Sequence, residues 1–480
     1  MFFSFGQAKG QAFVPATTPD ETFPTNVQKV NNTGTDFAYF DNSYFKVTVW
    51  DGNNPMIGWD PGSGPKSPIS FLGSSIGKIE DPDVVIFPDN TNHVLYLVSI
   101  YVIKGNVWIE GLNYSNGNWQ TTFSPVQLSS SGKCETPNLD INSQNNLVAV
   151  WQDDNDISIL FTNSQYQNPN IMILFNGSQI ESGQDPDVAV YFDTQYGAAK
   201  YTVTFLIYDS YAGATDICAS NNPFGSVGTF FNHYRIYNPE YYGKPRIACT
   251  RNNNNEYYEI VVGHYDGNNL NEIVGFNQQI INNNTLFSGP TILNTSLTHC
   301  YNQNHCVGYA SGMFAAVWEN ESSNTSMKDI IMRKLDIAGN PVNNSYYIVN
   351  HFTSDNQIVP SVSGLKTGNH DIVYAFFNEP LEEIDYKHSD IMGNAVRKGL
   401  TTTIDNNTTL YPNPANNYLI LNKEGEIAKY FIIDTHGKTV LSGILSEKIR
   451  KVNIQQLSSG IYFVKFITPN NTDIYKLIIQ

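Results

Sequence analysis

The chain has 480 residues, with 27 basic against 44 acidic side chains and a formal charge of −17 at pH 7. Its hydrophobic content of 41% supports a sizeable core, and a charged content of only 15% excludes a solvated disordered chain. The acidic balance, with no basic stripe to displace counterions, excludes a nucleic-acid partner, and no apolar run is long enough to span a membrane as a helix.

At the N-terminus, Met1 to Gly10 contains Gly6-Gln7-Ala8, which puts small residues at the positions a signal peptidase reads. Residues 1–10 are therefore expected to be a signal-peptide remnant.

From about residue 25 to 400 one pattern recurs. Proline precedes an alternating apolar run at Asp81-Pro82-Asp83-Val84, Thr136-Pro137-Asn138-Leu139, Asp185-Pro186-Asp187-Val188, Lys244-Pro245-Arg246-Ile247 and Val359-Pro360-Ser361-Val362. His305-Cys306-Val307-Gly308 takes the remaining place, and the steps are 55, 49, 59, 61 and 54 residues. Each segment leads into a longer β run, such as Val94 to Val102, Leu147 to Gln152 or Ile372 to Phe377. A third run then opens on an acidic or amide residue before a branched aliphatic: Asn106-Val107, Asp156-Ile157, Asp216-Ile217, Asp329-Ile330, Asp390-Ile391. Three or four strands repeated every ~50–60 residues predict a β-propeller, because such a sheet buries its faces only against its neighbours.

Six units are countable, and Asp36 to Ser70 supplies either a seventh blade or a strand that closes the last. About 54 residues per blade over 25–400 favours seven over six. A pair of β-sandwiches is the competing architecture.

No assembled catalytic motif accompanies the repeat. GxSxG, P-loop, GxGxxG and HExxH patterns are absent. The Asp residues before Ile read as turn-fixing acceptors. Asp83 and Asp187, on strands that would line a central channel, are the catalytic pair if the protein is an enzyme. Asp153-Asp154-Asn155-Asp156 is the densest acidic cluster, but it lacks an EF-hand spacing, so no cofactor is expected and Ca²⁺ is the one ion it would suit. Trp59 and Trp119, flanked by Gly, Asp and Asn, are the candidate exposed aromatics for a ligand. Cys300 and Cys306 are close enough in sequence to bridge a short loop, within an odd total of five cysteines.

Residues 401–408 form a polar stretch without periodicity and read as a linker. Beyond it, residues 409–480 alternate apolar and polar in short runs separated by turn residues, the pattern of a small β-sandwich. Leu410-Tyr411-Pro412-Asn413-Pro414, Asp434-Thr-His-Gly437-Lys438, Leu457-Ser-Ser-Gly460-Ile461-Tyr462-Phe463-Val464 and Tyr475-Lys476-Leu477-Ile478-Ile479 follow in order. Together they resemble the type A sorting domain of the type IX secretion system of Bacteroidota. The departure is Gln480, where that family commonly ends on a basic residue; Lys476 is the nearest here. The resemblance implies export across the outer membrane through the secretion machinery, with the product on the cell surface or released.

The expected protein is all-β: a propeller followed by a small C-terminal sandwich. Its expected role is non-enzymatic recognition of a glycan or surface protein. The alternative is a carbohydrate-active hydrolase or lyase.

Overall fold

The computed structural model describes residues 13–14, 21–23, 27–178, 181–193, 197–209, 214–227, 231–235, 242–251, 257–265, 272–281, 284–294, 299–310, 312–321, 328–343, 346–350, 356–364, 371–379, 381–390, 409–411, 418–422, 428–434, 438–445, 451–467 and 472–479. The chain divides into two compact units, Met1–Gly399 and Leu400–Gln480.

Among the described residues, the first unit is a succession of sheets in which consecutive strands pair antiparallel, and Phe13–Val14 adds in parallel to Tyr346–Ile348 at the edge of the sheet that His299–Ala310 begins. Their first strands are Thr33–Phe40, Glu80–Asp89, Cys134–Ile141, Glu181–Asp193, Tyr242–Arg251, His299–Ala310 and Gln357–Gly364. Each first strand packs against that of the next sheet, and Gln357–Gly364 returns to Thr33–Phe40, so the contacts close into a ring. This is a propeller-like arrangement. One 3₁₀ turn, Leu72–Ser75, is the only helical segment described.

The second strands are the most apolar because sheets cover them on both faces. Val94–Ile103 is Val-Leu-Tyr-Leu-Val-Ser-Ile-Tyr-Val-Ile and is buried almost throughout. Hairpins turn on residues that tolerate positive φ, as at Asp41-Asn42 (46° and 64°) and Lys104-Gly105 (52° and 72°). The core is divided among the joints between sheets. Val47, Phe45 and Phe71 of one joint meet Leu97 and Tyr101, and Trp151 fills the next with Ile100 and Leu139. Each such side chain contributes about 1.5–3 kcal/mol.

Of the two alternatives for Asp36 to Ser70, the segment builds a sheet and does not itself close the last one. Thr33–Phe40, Ser43–Trp50 and Met56–Asp60 form a sheet of their own, while a separate strand, Glu21–Phe23, pairs with Ile384 to Tyr386 and becomes the outer strand of the last sheet. In that last sheet the third strand is Glu383–Asp390. Asp390 therefore closes the third strand rather than opening it. Glu383-Ile384 is the acid–aliphatic pair that opens it, because the preceding turn is short.

In the second unit, one sheet orders Thr409–Tyr411, Tyr418–Asn422 and Lys451–Asn453, and the other orders Thr439–Leu445, Ala428–Asp434, Gly460–Ile467 and Thr472–Ile479. Val452 of the smaller sheet shares an apolar core with Ile432, Val464, Leu477 and Ile479 of the larger.

Candidate functional site at the ring centre

Where the first strands enter the ring, the sequence imposes one irregularity five times. Asp81, Thr136, Asp185, Lys244 and Val359 each precede a proline, and their φ angles are 48°, 48°, 48°, 44° and 54°. Each ladder shifts register there. Proline offers the ladder no N–H, so the strand bulges past it and the left-handed residue absorbs the bend. Positive φ is least tolerated by the β-branched pair Thr136 and Val359. After the bulge, Asp83, Asn138, Asp187, Arg246 and Ser361 rejoin their ladders, as does His305 after the longer bulge of the sixth first strand.

These strands enclose a cavity of about 220 Å³. Asp83 and Asp187 both line it. Each is also tied into the frame. Asp83 Oδ1 accepts the Val84 N–H at 2.9 Å and Oδ2 the Leu139 N–H of the next sheet at 3.0 Å. Asp187 accepts the Val188 N–H at 2.9 Å and the Ile247 N–H at 2.8 Å.

Two residues that the sequence reading passed over do the same at a second level. Asp36 accepts the Phe37 and Ile86 N–H groups, both at 2.9 Å, and Asp140 accepts those of Ile141 (2.8 Å) and Val190 (2.7 Å). Four successive joints are thus each bridged by a carboxylate. At the ring's closing joint the Ser363 hydroxyl donates to Asp36 at 2.7 Å.

Burial pushes the Asp83 carboxyl up to about 7, and nearby Asp187 and Asp36 add to the rise against the two N–H bonds. Burial likewise raises Asp187, with Arg246 pulling it back, and Asp81, with Lys244 pulling it back. The basic residues come from Lys244-Pro245-Arg246, which stands where the second and fourth sheets carry Asp-Pro-Asp. Comparing units would have found them, since the signal lies in the difference between repeats.

Trp59 and Trp119 are brought together, but not at the ring centre. Their rings are perpendicular at 5.7 Å, both half-buried between the first two sheets against Phe45 and Tyr114. Trp59 Nε1 donates to Ser67 O at 3.1 Å. The flanking turn residues leave them only partly exposed, because the neighbouring sheet packs against them. Trp50, Trp151 and Trp318 are fully buried core.

Asp153-Asp154-Asn155-Asp156 is a hairpin turn between strands Leu147–Asp153 and Asp156–Thr162, with Asp154 at φ 60°. Asp156 accepts the Gly177 N–H at 2.7 Å, and Asp329 accepts from Asn350 Nδ2 at 2.9 Å. The side chains of Asp216 and Asp390 lie outside the described residues. Among the described residues no cluster of His, Cys, Asp and Glu is arranged to hold a metal ion.

The expected Cys300–Cys306 bridge is not formed: Cys306 is a free thiol lining the cavity, and burial raises its pKa well above the usual range. Both cysteines lie on the strand His299–Ala310, opposite Asn320 and Val317. Those partners are three steps apart, about 10 Å along the strand, beyond the ~7 Å limit for bridged Cα atoms.

In the second unit, Tyr411 ends the strand Thr409–Tyr411, Gly460 opens Gly460–Ile467, and Lys476 pairs with Phe463. The Tyr462 hydroxyl donates to Ser458 O at 2.9 Å. Pro412, Asn413, Pro414 and Gly437 lie outside the described residues, as do residues 1–10 and 401–408. The sequence of this segment decides its family.

Residues 409–480 match the secretion system C-terminal sorting domain. The sorting domain directs export by the type IX system to the cell surface or the extracellular space. Among the described residues no helix is long and apolar enough to cross a membrane. No curated protein matches the chain in sequence.

Solved structures similar to it include an α-L-arabinanase of Penicillium chrysogenum complexed with arabinobiose, at 10% identity and a TM-score of 0.40, over 79% of this chain and 99% of that one. An α-L-arabinofuranosidase of Fusarium graminearum is 10% identical with a TM-score of 0.40, over 67% and 98%. A mutant of AofleA from Arthrobotrys oligospora is 7% identical with a TM-score of 0.41, over 69% and 91%.

Proposed function

We propose that this chain is a secreted seven-bladed β-propeller that recognises a glycan or protein at the cell surface without chemistry. Residues 25–400 are the propeller, completed by the strand Glu21–Phe23. Residues 401–408 are a linker, and 409–480 are a β-sandwich that serves as the export address. Seven first strands in a closed ring of contacts support the blade number.

One observation carries the non-enzymatic reading. Asp83 and Asp187, the best-placed acids, each have both oxygens engaged by main-chain N–H groups of their own and the following blade. A general acid or nucleophile needs an oxygen free to reach substrate; these hold the frame. The hydrolase reading keeps one point in its favour, since a carboxyl near 7 suits a general acid at neutral pH.

The full-length chain, incubated with bacterial, algal and host polysaccharides and with surface-protein extracts, separates the two. Thermal shift with no released oligosaccharide is expected. Product release that Asp83→Asn abolishes would make the protein a glycoside hydrolase or lyase.

A further inference from the structure

We propose that the mouth of the ring continues into a groove along the seam between the seventh and first blades, and that this groove receives an extended polypeptide segment. The inference rests on the recognition reading and names its partner. A second cavity, lined in part by Lys29, Asn31, Gly52, Lys78, Glu379 and Glu382, shares Asn31 with the central one. Ile358 lines the outer cavity and the next residue, Val359, the inner.

The two walls differ in charge. Lys29 and Lys78 stand on the side of the first two blades, Glu379 and Glu382 on that of the seventh. The Lys78–Glu80 pair at 2.9 Å is exposed and holds Lys78 only weakly.

Two features favour a polypeptide over a sugar chain. The aromatic residue lining the groove, Phe377, is 3% exposed, so it offers no stacking platform. Second, opposed basic and acidic walls fit a segment that carries an acid towards one side and a base towards the other.

The walls are also preformed. Lys29 and Glu382 have φ of 58° and 55°, and Gly52 has φ of 103°, where a Cβ would lie 2.6 Å from Gln28 O. Gln28 Nε2 donates to Glu382 across the seam. Little ordering is left to be done on binding.

The test selects a phage-displayed library of random peptides of about twelve residues on the full-length chain, then follows a labelled selected peptide by fluorescence anisotropy. Lys29→Glu and Glu382→Lys should each weaken binding at least about tenfold, with melting temperatures near that of the parent. Selected peptides that bind both variants as tightly as the parent would overturn the groove. So would a library that yields no binder while laminarin or xylan binds. A selected peptide that loses affinity in the variants but is cleaved by the parent would support the groove and end the non-enzymatic reading.

Discussion

Asp83 shows how one side chain both builds the ring and loads it. Its carboxyl stands at about 7 against an ordinary 3.8, so between those values the folded state keeps a proton that the unfolded chain has lost. The folded state binding more protons, this group's contribution to stability falls as pH rises through that window, by at most about 1.4 kcal/mol per pH unit. Asp83→Asn removes the titration but keeps only one acceptor oxygen, leaving its amide against the N–H of Val84 or Leu139. We expect this variant to be about 1–3 kcal/mol less stable than the parent at about pH 5, with the gap closing by about pH 8. Urea melts at a series of pH values report it directly; parallel curves would refute the loading. The sequence announced Asp83 and Asp187 as channel residues because they follow the repeated prolines. It did not announce their bonding, since the direction of an N–H in the next blade is not written locally. The half-burial of Trp59 and Trp119 was hidden for a related reason: glycine and asparagine neighbours signal a turn, not whether another sheet packs beside it.

Among the elements, the closing strand Glu21–Phe23 concentrates the most interactions in the fewest residues. Thr22 Oγ1 donates to Asp385 at 2.6 Å, and Phe23 stacks on Tyr386 at 4.6 Å between ring centres. The Tyr386 hydroxyl contacts Glu21 at 2.5 Å and Asp60 at 3.0 Å, and buried Lys46 pairs with Asp60 at 2.9 Å. Two blades and the N-terminal segment therefore share one polar knot. Tyr386→Phe leaves Asp60 and Glu21 short of a donor and should cost about 1–3 kcal/mol. Removing residues 1–23 takes away the whole outer strand, together with Phe13–Val14 at the edge of another sheet, and should lower the melting temperature far more. Calorimetry of the two variants tests the order, and a truncated chain melting with the parent would show the strand to be dispensable. Strand positions were the most legible part of the sequence, because apolar runs such as 94–103 are long and hairpin turns carry Gly, Asn or Asp. The closing strand was harder. Three residues have no periodicity, and their partner lies more than 350 positions away.

At the scale of the whole molecule, two units of opposite charge share the chain. Residues 401–480 hold eight basic and six acidic residues, a balance of +2, which leaves 27 − 8 = 19 basic and 44 − 6 = 38 acidic in the first 400, a balance of −19. The C-terminal unit has its own apolar core around Ile432, Val452, Val464 and Leu477, and among the described residues its strands pair only with strands of the same unit. A unit with a separate core can be moved between proteins, so its export role should travel with it. Fused behind a folded periplasmic reporter, residues 405–480 should carry the reporter into the medium or onto the surface of a host with type IX secretion. The parent chain ending at residue 404 should stay in the periplasm with the propeller folded, because the carboxylate bridges and the closing strand all lie before residue 391. Protease shaving of intact cells, with the melting curve of the retained fragment, separates the outcomes. Surface exposure of the truncated chain would mean that the propeller carries an export signal of its own. Retention with a lost melting transition would mean that the ring needs the second unit to fold.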